Sequence, residues 1–258
     1  MTLDPVADHF NEVADTYDEV IPFFSSFAAG FDQRILWPDP PATMLDLGAG
    51  RGAMTARALD HGCRVVAVDA APRMMELLQR DHPSVEAHVM SADSLDLPDD
   101  SFDLVVASFM IHIVPRPEAT MDQALRVLKP GGRIVLTVPG RADGSPDPWD
   151  DEVNDLVKSY RRFQPDGDGR HGNDADEQEL LRTRGVQDVT GDSVDICLAV
   201  PDGDTYWRWM TSHGAGTFAK RLPDDKRHQL HRDICDLIAK SGGWTVRRSA
   251  AIWQGTKA

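Results

Sequence analysis

The chain has 258 residues, 41% of them hydrophobic, with 42 acidic against 27 basic side chains and a net charge of −15. That length and apolar content suffice for one large α/β domain with insertions, while the charge argues against nucleic acid and against an anionic membrane surface, since both select basic footprints. Cys63, Cys197 and Cys235 stand far apart with no Cys-x-x-Cys, and no Asp/His/Glu cluster has metal-ligand spacing, so neither a disulfide framework nor a metal site is expected.

The first residues, Met1-Thr2-Leu3-Asp4-Pro5, have neither a basic start nor an apolar run and do not read as a signal peptide. The longest apolar stretch, Leu104 to Val114, is broken by His112 and is too short to cross a bilayer, so a cytoplasmic location is expected. Residues 5–37 read as helical in pieces, because Val6, Phe10, Val13 and Tyr17 recur at helical spacing. After the break at Trp37-Pro38-Asp39-Pro40-Pro41, strands are expected at 43–47, 64–69, 85–90, 102–108 and 133–138, with helices near 52–61, 72–81 and 117–128. Nearly continuous apolar strands alternating with helices mean a parallel sheet covered on both faces. In Leu128-Lys129-Pro130-Gly131-Gly132 a helix is expected to stop at Lys129, with Pro-Gly-Gly as the turn into the next strand. Arg141 to Asp174 is rich in Asp, Gly and Pro and reads as loop holding one helix, 151–163. A helix at 177–183, strands at 194–200 and 244–253, and a helical stretch at 203–240 complete the chain; Tyr206, Trp207, Trp209 and Met210 open that stretch, as core or as substrate cover.

The chemistry concentrates in Leu45-Asp46-Leu47-Gly48-Ala49-Gly50-Arg51-Gly52. Gly48 and Gly50 let the backbone turn tightly against a ligand, and the N–H groups of the next helix favour a carboxylate or phosphate there. Asp46, just before the turn, could hold an ammonium group, and a site offering both suits an amino-acid zwitterion. The same glycines, with Ala53, also satisfy the loose dinucleotide fingerprint. Asp69 ends the apolar run Arg64 to Val68, where an acid accepts from both ribose hydroxyls, or caps the helix opened by Ala71-Pro72. Asp93, in Ala92-Asp93-Ser94 after a third apolar run, could accept from an adenine amine or be a plain loop acid.

In this order, Asp46 to Gly52, Val68-Asp69, Ala92-Asp93, Phe102-Asp103-Leu104-Val105 and Leu128 to Gly132 resemble the class I S-adenosylmethionine-dependent methyltransferases. The resemblance is closest to the small-molecule branch that includes the ubiquinone/menaquinone-biosynthesis type, and it is dense over residues 42–140. It implies an α/β Rossmann-like fold: a seven-stranded, mostly parallel sheet with helices on both faces, the last strand antiparallel and inserted between the fifth and sixth. It further implies one methyltransferase domain over 1–258, with an N-terminal helical lid (1–41), a cofactor-binding core (42–140), and a remainder (141–258) carrying a helical substrate-cover insertion near 203–240. The implied cofactor is S-adenosyl-L-methionine, leaving S-adenosyl-L-homocysteine as product. Its contacts are expected from Tyr17, Asp46, Gly48, Ala49, Gly50, Asp69, Ala70, Met74, Ala92, Asp93, Ser94, Ser108 and Phe109. Met74 is expected against the adenine face, Ser108 and Phe109 against the methionine end, and the Tyr17 hydroxyl closing over that end.

For catalysis, His112 follows the fourth strand's carboxyl end, where ligands of open α/β sheets sit, and an ordinary imidazole pKa of roughly 6.5 suits base work near neutrality. A backbone-bonded structural histidine is the alternative there. His213 is the second candidate, while His9, His171, His228 and His231 read as surface residues. The expected partner is a small-molecule acceptor methylated at oxygen, nitrogen or carbon, the protein being a monomer or homodimer. A non-methylating cyclisation or rearrangement with the same cofactor is the alternative. A nicotinamide oxidoreductase is disfavoured by Asp46, Asp93 and the lack of a Tyr-x-x-x-Lys pair, and a non-catalytic binding module by the intact cofactor motifs.

Overall fold

The apolar runs become the centre of one sheet. Its strands are β1 (Thr43–Leu47), β2 (Arg64–Asp69), β3 (Glu86–Val89), β4 (Phe102–Ser108), β5 (Leu128–Pro139), β6 (Gln187–Val200) and β7 (Trp244–Thr256), in the spatial order β3-β2-β1-β4-β5-β7-β6. The computed structural model describes residues 5–145, 152–165, 176–213 and 215–258. β1 through β5 pair in parallel, and β7 inserts antiparallel to both β5 and β6. Strand order reverses between β1 and β4, which opens a crevice at their carboxyl ends, the position where open α/β sheets bind ligands.

The helices are α1 (Pro5–Val13), α2 (Phe23–Asp32), α3 (Ala53–Asp60), α4 (Pro72–Asp81), α5 (Pro117–Val127), α6 (Glu152–Ser159), α7 (Glu177–Arg182), α8 (Gly203–Thr211), α9 (Ala215–Arg221) and α10 (Asp224–Lys240). Alternate strand residues face opposite sides. Met44, Val65 and Val106 therefore join Phe27, Phe31, Met54 and Leu78 on one face, while Leu45, Val66 and Val105 join Met121, Val127 and Leu181 on the other. A third cluster holds α8 and α10 together through Tyr206, Trp209, Leu230 and Ile234. Gly30 lets α2 lie against β6, since a Cβ there would stand 2.3 Å from Cγ1 of Val194.

The elements differ from the sequence expectations chiefly in five places. α5 ends at Val127, and Leu128 already pairs with Phe102, while Arg133 pairs with Leu104. Lys129 to Gly132 thus bulges out of a strand instead of joining a helix to one, with Gly131 at φ +76 donating to the carbonyl of Lys257. α1 stops at Val13, so Tyr17 lies in the following turn and not on the helix. β6 begins at Gln187, seven residues before the apolar signal at Val194, because Asp188, Thr190, Asp192 and Ser193 ride on an edge strand held by β7. The stretch 203–240 is three helices, in which Tyr206 and Trp209 are core residues. Of the helix expected at 151–163, Glu152–Ser159 is α-helical and Tyr160–Phe163 is a 3-10 turn; Asp151 and most of the expected loop that follows, His171 included, lie outside the described residues. Among the described residues no helix is long and apolar enough to cross a membrane.

Candidate functional site

The chain leaves the sheet directly after Leu47, with the amides of Gly48 and Ala49 both donating to the carbonyl of Val68. Gly48 and Gly50 adopt φ +70 and +54, a region costly for side-chain-bearing residues. A Cβ on Gly48 would also stand 2.8 Å from Met110. The amide of Gly50 is not left for a ligand: it donates to Oδ2 of Asp69 at 2.9 Å. Oδ1 of Asp69 accepts from the amide of Ala71, also at 2.9 Å. Asp69 is therefore not the cap of α4, whose N-cap is Ala71 with no side-chain bond. Instead it braces the glycine turn against β2, and each of its oxygens keeps lone-pair capacity for a further donor. Burial pushes its pKa up, and the amides of Ala71, Gly50 and Ala70 oppose that shift.

Asp46 is buried under the turn and accepts from the Thr55 hydroxyl at 2.6 Å. Desolvation raises its pKa to about 6 against the pull of Thr55. A carboxyl so placed gains most from a cationic neighbour in the cavity it faces.

Three adjoining cavities open around this turn. The largest, about 520 Å³, is lined by Gly48, Gly50, Asp69, Ala70, Met74, Ala92, Asp93, Ser108 and Phe109. A second, about 230 Å³, contains Asp46, Gly48, Ala49, Gly50, Ser108 and Phe109. The third, about 320 Å³, is walled by Phe10, Phe23, Phe24, Phe27, His112 and His213. Tyr17 and Phe109 line all three. Of the expected cofactor residues, Ser94 alone lies elsewhere: it is exposed and lines none of them.

Asp93 is more than a loop acid. One oxygen accepts from Ser91 at 2.7 Å, and the other from Nε of Arg116 at 2.8 Å. Arg116, unforeseen from the sequence, lines the same cavity. Ser108 shares a hydrogen bond with Thr137 on β5. Phe109 takes a φ of 53 and meets Phe24, Phe27 and Phe31 at 5.1–5.8 Å.

The N-terminal segment is fastened by polar contacts as well as packing. Arg51, in the glycine turn, donates to the carbonyl of Ala14 and pairs with Glu19 and Asp81. Arg73 pairs with Asp15, and its amide donates to Asn11. Asp18 receives the amides of Phe24 and Ser25, which sets the Phe24 ring flat on Tyr17 at 4.5 Å. These contacts hold Tyr17 over Gly50, 3.7 Å from where a Cβ would stand.

Both candidate catalytic histidines reach the third cavity, and neither has an ordinary imidazole pKa. Desolvation pushes each down to about 4, so both are neutral at neutral pH. Their settings differ. His213 donates from Nδ1 to the carbonyl of Trp209 at 2.7 Å, which fixes the tautomer and leaves Nε2 with its lone pair. Its ring lies against Phe23 at 5.7 Å. Nδ1 of His112 is buried without a hydrogen-bond partner, so the backbone-bonded alternative does not describe that nitrogen. His9, expected at the surface, lines this cavity too and donates to the carbonyl of His213. Among the described residues, folding also assembles one trio that could hold a metal ion and that linear spacing concealed, Asp204, His231 and Cys235.

Comparison with known proteins agrees with this geometry. Residues 45–136 match the methyltransferase domain family model. The chain is 35% identical over 206 residues to an uncharacterized methyltransferase-like protein of Schizosaccharomyces pombe, covering 79% of this chain and 75% of that one. It is 38% identical over 141 residues to a demethylmenaquinone methyltransferase of Clavibacter sepedonicus, covering 51% of this chain and 56% of the relative. In fold it is similar to the YcgJ protein of Bacillus subtilis, with a TM-score of 0.56 and 20% identity, covering 89% of this chain and 97% of the other. Glycine turn, switch-point crevice and strand order define a Rossmann-like methyltransferase fold. The chain belongs to the class I S-adenosylmethionine-dependent methyltransferases, and S-adenosylmethionine is its cofactor.

Proposed function

We propose that this methyltransferase acts on a small, flat, largely apolar acceptor in the 320 Å³ cavity, and that His213 takes up the proton the nucleophile loses. The observation that carries this reading is that Tyr17 and Phe109 wall the two glycine-turn cavities and the aromatic cavity at once. A donor on one side and an acceptor on the other meet across those two rings.

The residues fit the cofactor. Gly48 and Gly50 give a cradle that Cβ atoms would disturb, and Asp69 has lone pairs for the ribose hydroxyls. Asp46 suits the ammonium group, Asp93 the adenine amine and Met74 the adenine face, while Ala49, Ala70 and Ala92 keep the walls shallow. Ser108 and Phe109 would flank the methionine end. The cofactor, when bound, supplies both electrophile and leaving group. The protein's own work is to hold two atoms near contact and in line, to exclude water with its rings, and to accept a proton where one is lost. His213 suits the last task by position, because the Trp209 carbonyl holds Nδ1 and leaves the Nε2 lone pair for the cavity that the ring lines; His112 is the second candidate. Residues 5–30 act as the lid, opening by release of the Arg51 and Arg73 ion pairs.

The test is to incubate the protein with S-adenosylmethionine and a panel of small phenols, quinols, amines and carboxylic acids, and to follow S-adenosylhomocysteine. The relative named for demethylmenaquinone makes that compound a natural first member. Acceptor-dependent S-adenosylhomocysteine is the expected result. Conversion of an acceptor without it would instead indicate a cyclisation or rearrangement.

A further inference from the structure

We propose that Asp204, His231 and Cys235 bind one divalent transition-metal ion, zinc being the best chemical match, where α8 crosses α10. Oδ of the carboxylate, Nε2 of the imidazole and Sγ of the thiol lie within 4.8 Å of one another. Oδ1 of Asp204 stands 2.8 Å from Nε2 of His231 and 3.8 Å from Sγ of Cys235. A tetrahedral zinc ion, with bonds of about 2.0–2.3 Å, needs its ligand atoms roughly 3.3–3.8 Å apart. Small side-chain movements meet that requirement, and Asp204, 76% exposed, can make the largest of them.

The backbone holds the three ligands in register. His231 and Cys235 are four residues apart on α10 and so share a face. Gly203 brings α8 against that face, since a Cβ there would stand 2.4 Å from Cα of Cys235. Asp204 is the next residue. Trp207, one turn further along α8, covers the His231 ring at 4.9 Å. Local charge favours a cation: Asp202 and Asp236 also act on the Cys235 thiol, while the nearby Arg227 and Lys220 are paired with Asp224 and Glu12. Oxygen, nitrogen and sulfur together select zinc or cobalt over magnesium or calcium, and a fourth position is left for water. On binding, the thiol proton passes to solvent and its sulfur bonds the metal. None of the three ligands lines the cofactor or acceptor cavities, so the proposal stands apart from the methyl-transfer reading. An ion there would pin the first turn of α8, the helix that carries Trp209 and leads to His213.

The test uses the metal-stripped full chain titrated with cobalt(II) chloride and zinc chloride. One equivalent should bind, and the cobalt form should show a thiolate-to-metal charge-transfer band with strong tetrahedral ligand-field bands. Cys235→Ser should abolish the charge-transfer band. His231→Gln and Asp204→Asn should each weaken zinc binding at least tenfold, with melting temperature and S-adenosylhomocysteine affinity measured on every variant to confirm folding. Cys197→Ser, at an exposed thiol elsewhere, should keep the band. Absence of stoichiometric binding overturns the site. So does a charge-transfer band that survives Cys235→Ser, or zinc affinity indifferent to the exposed Asp204→Asn change.

Discussion

The glycine-turn cavities and the aromatic-walled cavity beside them are built by opposite means. The glycine-turn cavities are made of strand ends and short turns: Asp46 to Gly50, Asp69 and Ala70, Ala92 and Asp93, Ser108 and Phe109. Their carboxylates are anchored by backbone amides or a neighbouring hydroxyl, so polar atoms are held at fixed points. The cavity beyond Tyr17 and Phe109 draws on segments from Pro5 to Ser249 and joins six aromatic rings to the part-buried, neutral His112 and His213, with Arg248 at its wall. Directional bonds on one side fix which cofactor enters; non-directional packing on the other fixes a size and a shape and leaves chemistry to few atoms.

The largest expected effect that would sharpen this contrast is on turnover. His213→Ala should keep S-adenosylhomocysteine affinity within about twofold and lose kcat by a factor of ~10²–10⁴. Because burial holds that imidazole near 4, the wild-type rate should stay flat from neutral pH down to about pH 5 and fall only as the ring gains its proton near 4. Full turnover in His213→Ala with loss in His112→Ala moves the base to His112, and an acid limb near pH 6.5 belongs to neither ring and would contradict the desolvation of both. Second in size is Asp69→Ala, measured by calorimetry with S-adenosylhomocysteine. It removes the brace of the Gly50 and Ala71 amides along with the ribose partner and should cost about 2–3 kcal/mol, roughly 30- to 150-fold in Kd. Equal affinity, or tighter binding of NAD, would undo the assignment.

Asp46 should trade stability for binding. Its carboxyl, raised to about 6, takes a proton in the folded state at pH values where the unfolded chain has already lost it. Its contribution to stability is therefore best below pH 4 and is lost as pH rises through 6, a penalty of up to about 3 kcal/mol at neutral pH. Asp46→Asn should raise the melting temperature by a few degrees at pH 7.5 and little at pH 4, while weakening cofactor binding. A lowered melting temperature at pH 7.5 would contradict the desolvation account. The smallest effect concerns the lid: amide hydrogen exchange over residues 5–30 should slow when S-adenosylhomocysteine binds. Protection confined to Gly48–Gly52 would make the N-terminal segment passive packing.

What the sequence revealed divides along the same line. β1, β2 and β4 fall at the residues expected because their apolar runs are short and nearly continuous, and α4 because Pro72 marks its first turn and apolar residues recur on one face. The insertion of β7 between β5 and β6 came through family resemblance and not from periodicity. Strand 187–193 was illegible because its edge position leaves it polar. The bulge at Lys129–Gly132 reads locally as a turn, since its pairing partner, Lys257, is at the other end of the chain. The same distance hid Arg116 behind Asp93 and His9 behind His213, for no local pattern joins residues brought together only by folding. The histidine pKa was misjudged for a related reason: desolvation belongs to the surroundings and not to the tripeptide.

Tyr17 and Phe109, as walls common to all three cavities, also make occupancy a shared property. If donor binding steadies those rings for the acceptor, then the methylated product and the spent cofactor must tighten one another by the same factor, since linkage between two sites is reciprocal. The enzyme is then expected to be slowed by its own by-product, with S-adenosylhomocysteine inhibiting more strongly as product accumulates. Titrating S-adenosylhomocysteine with and without methylated product, and product with and without S-adenosylhomocysteine, should return one coupling factor from both directions.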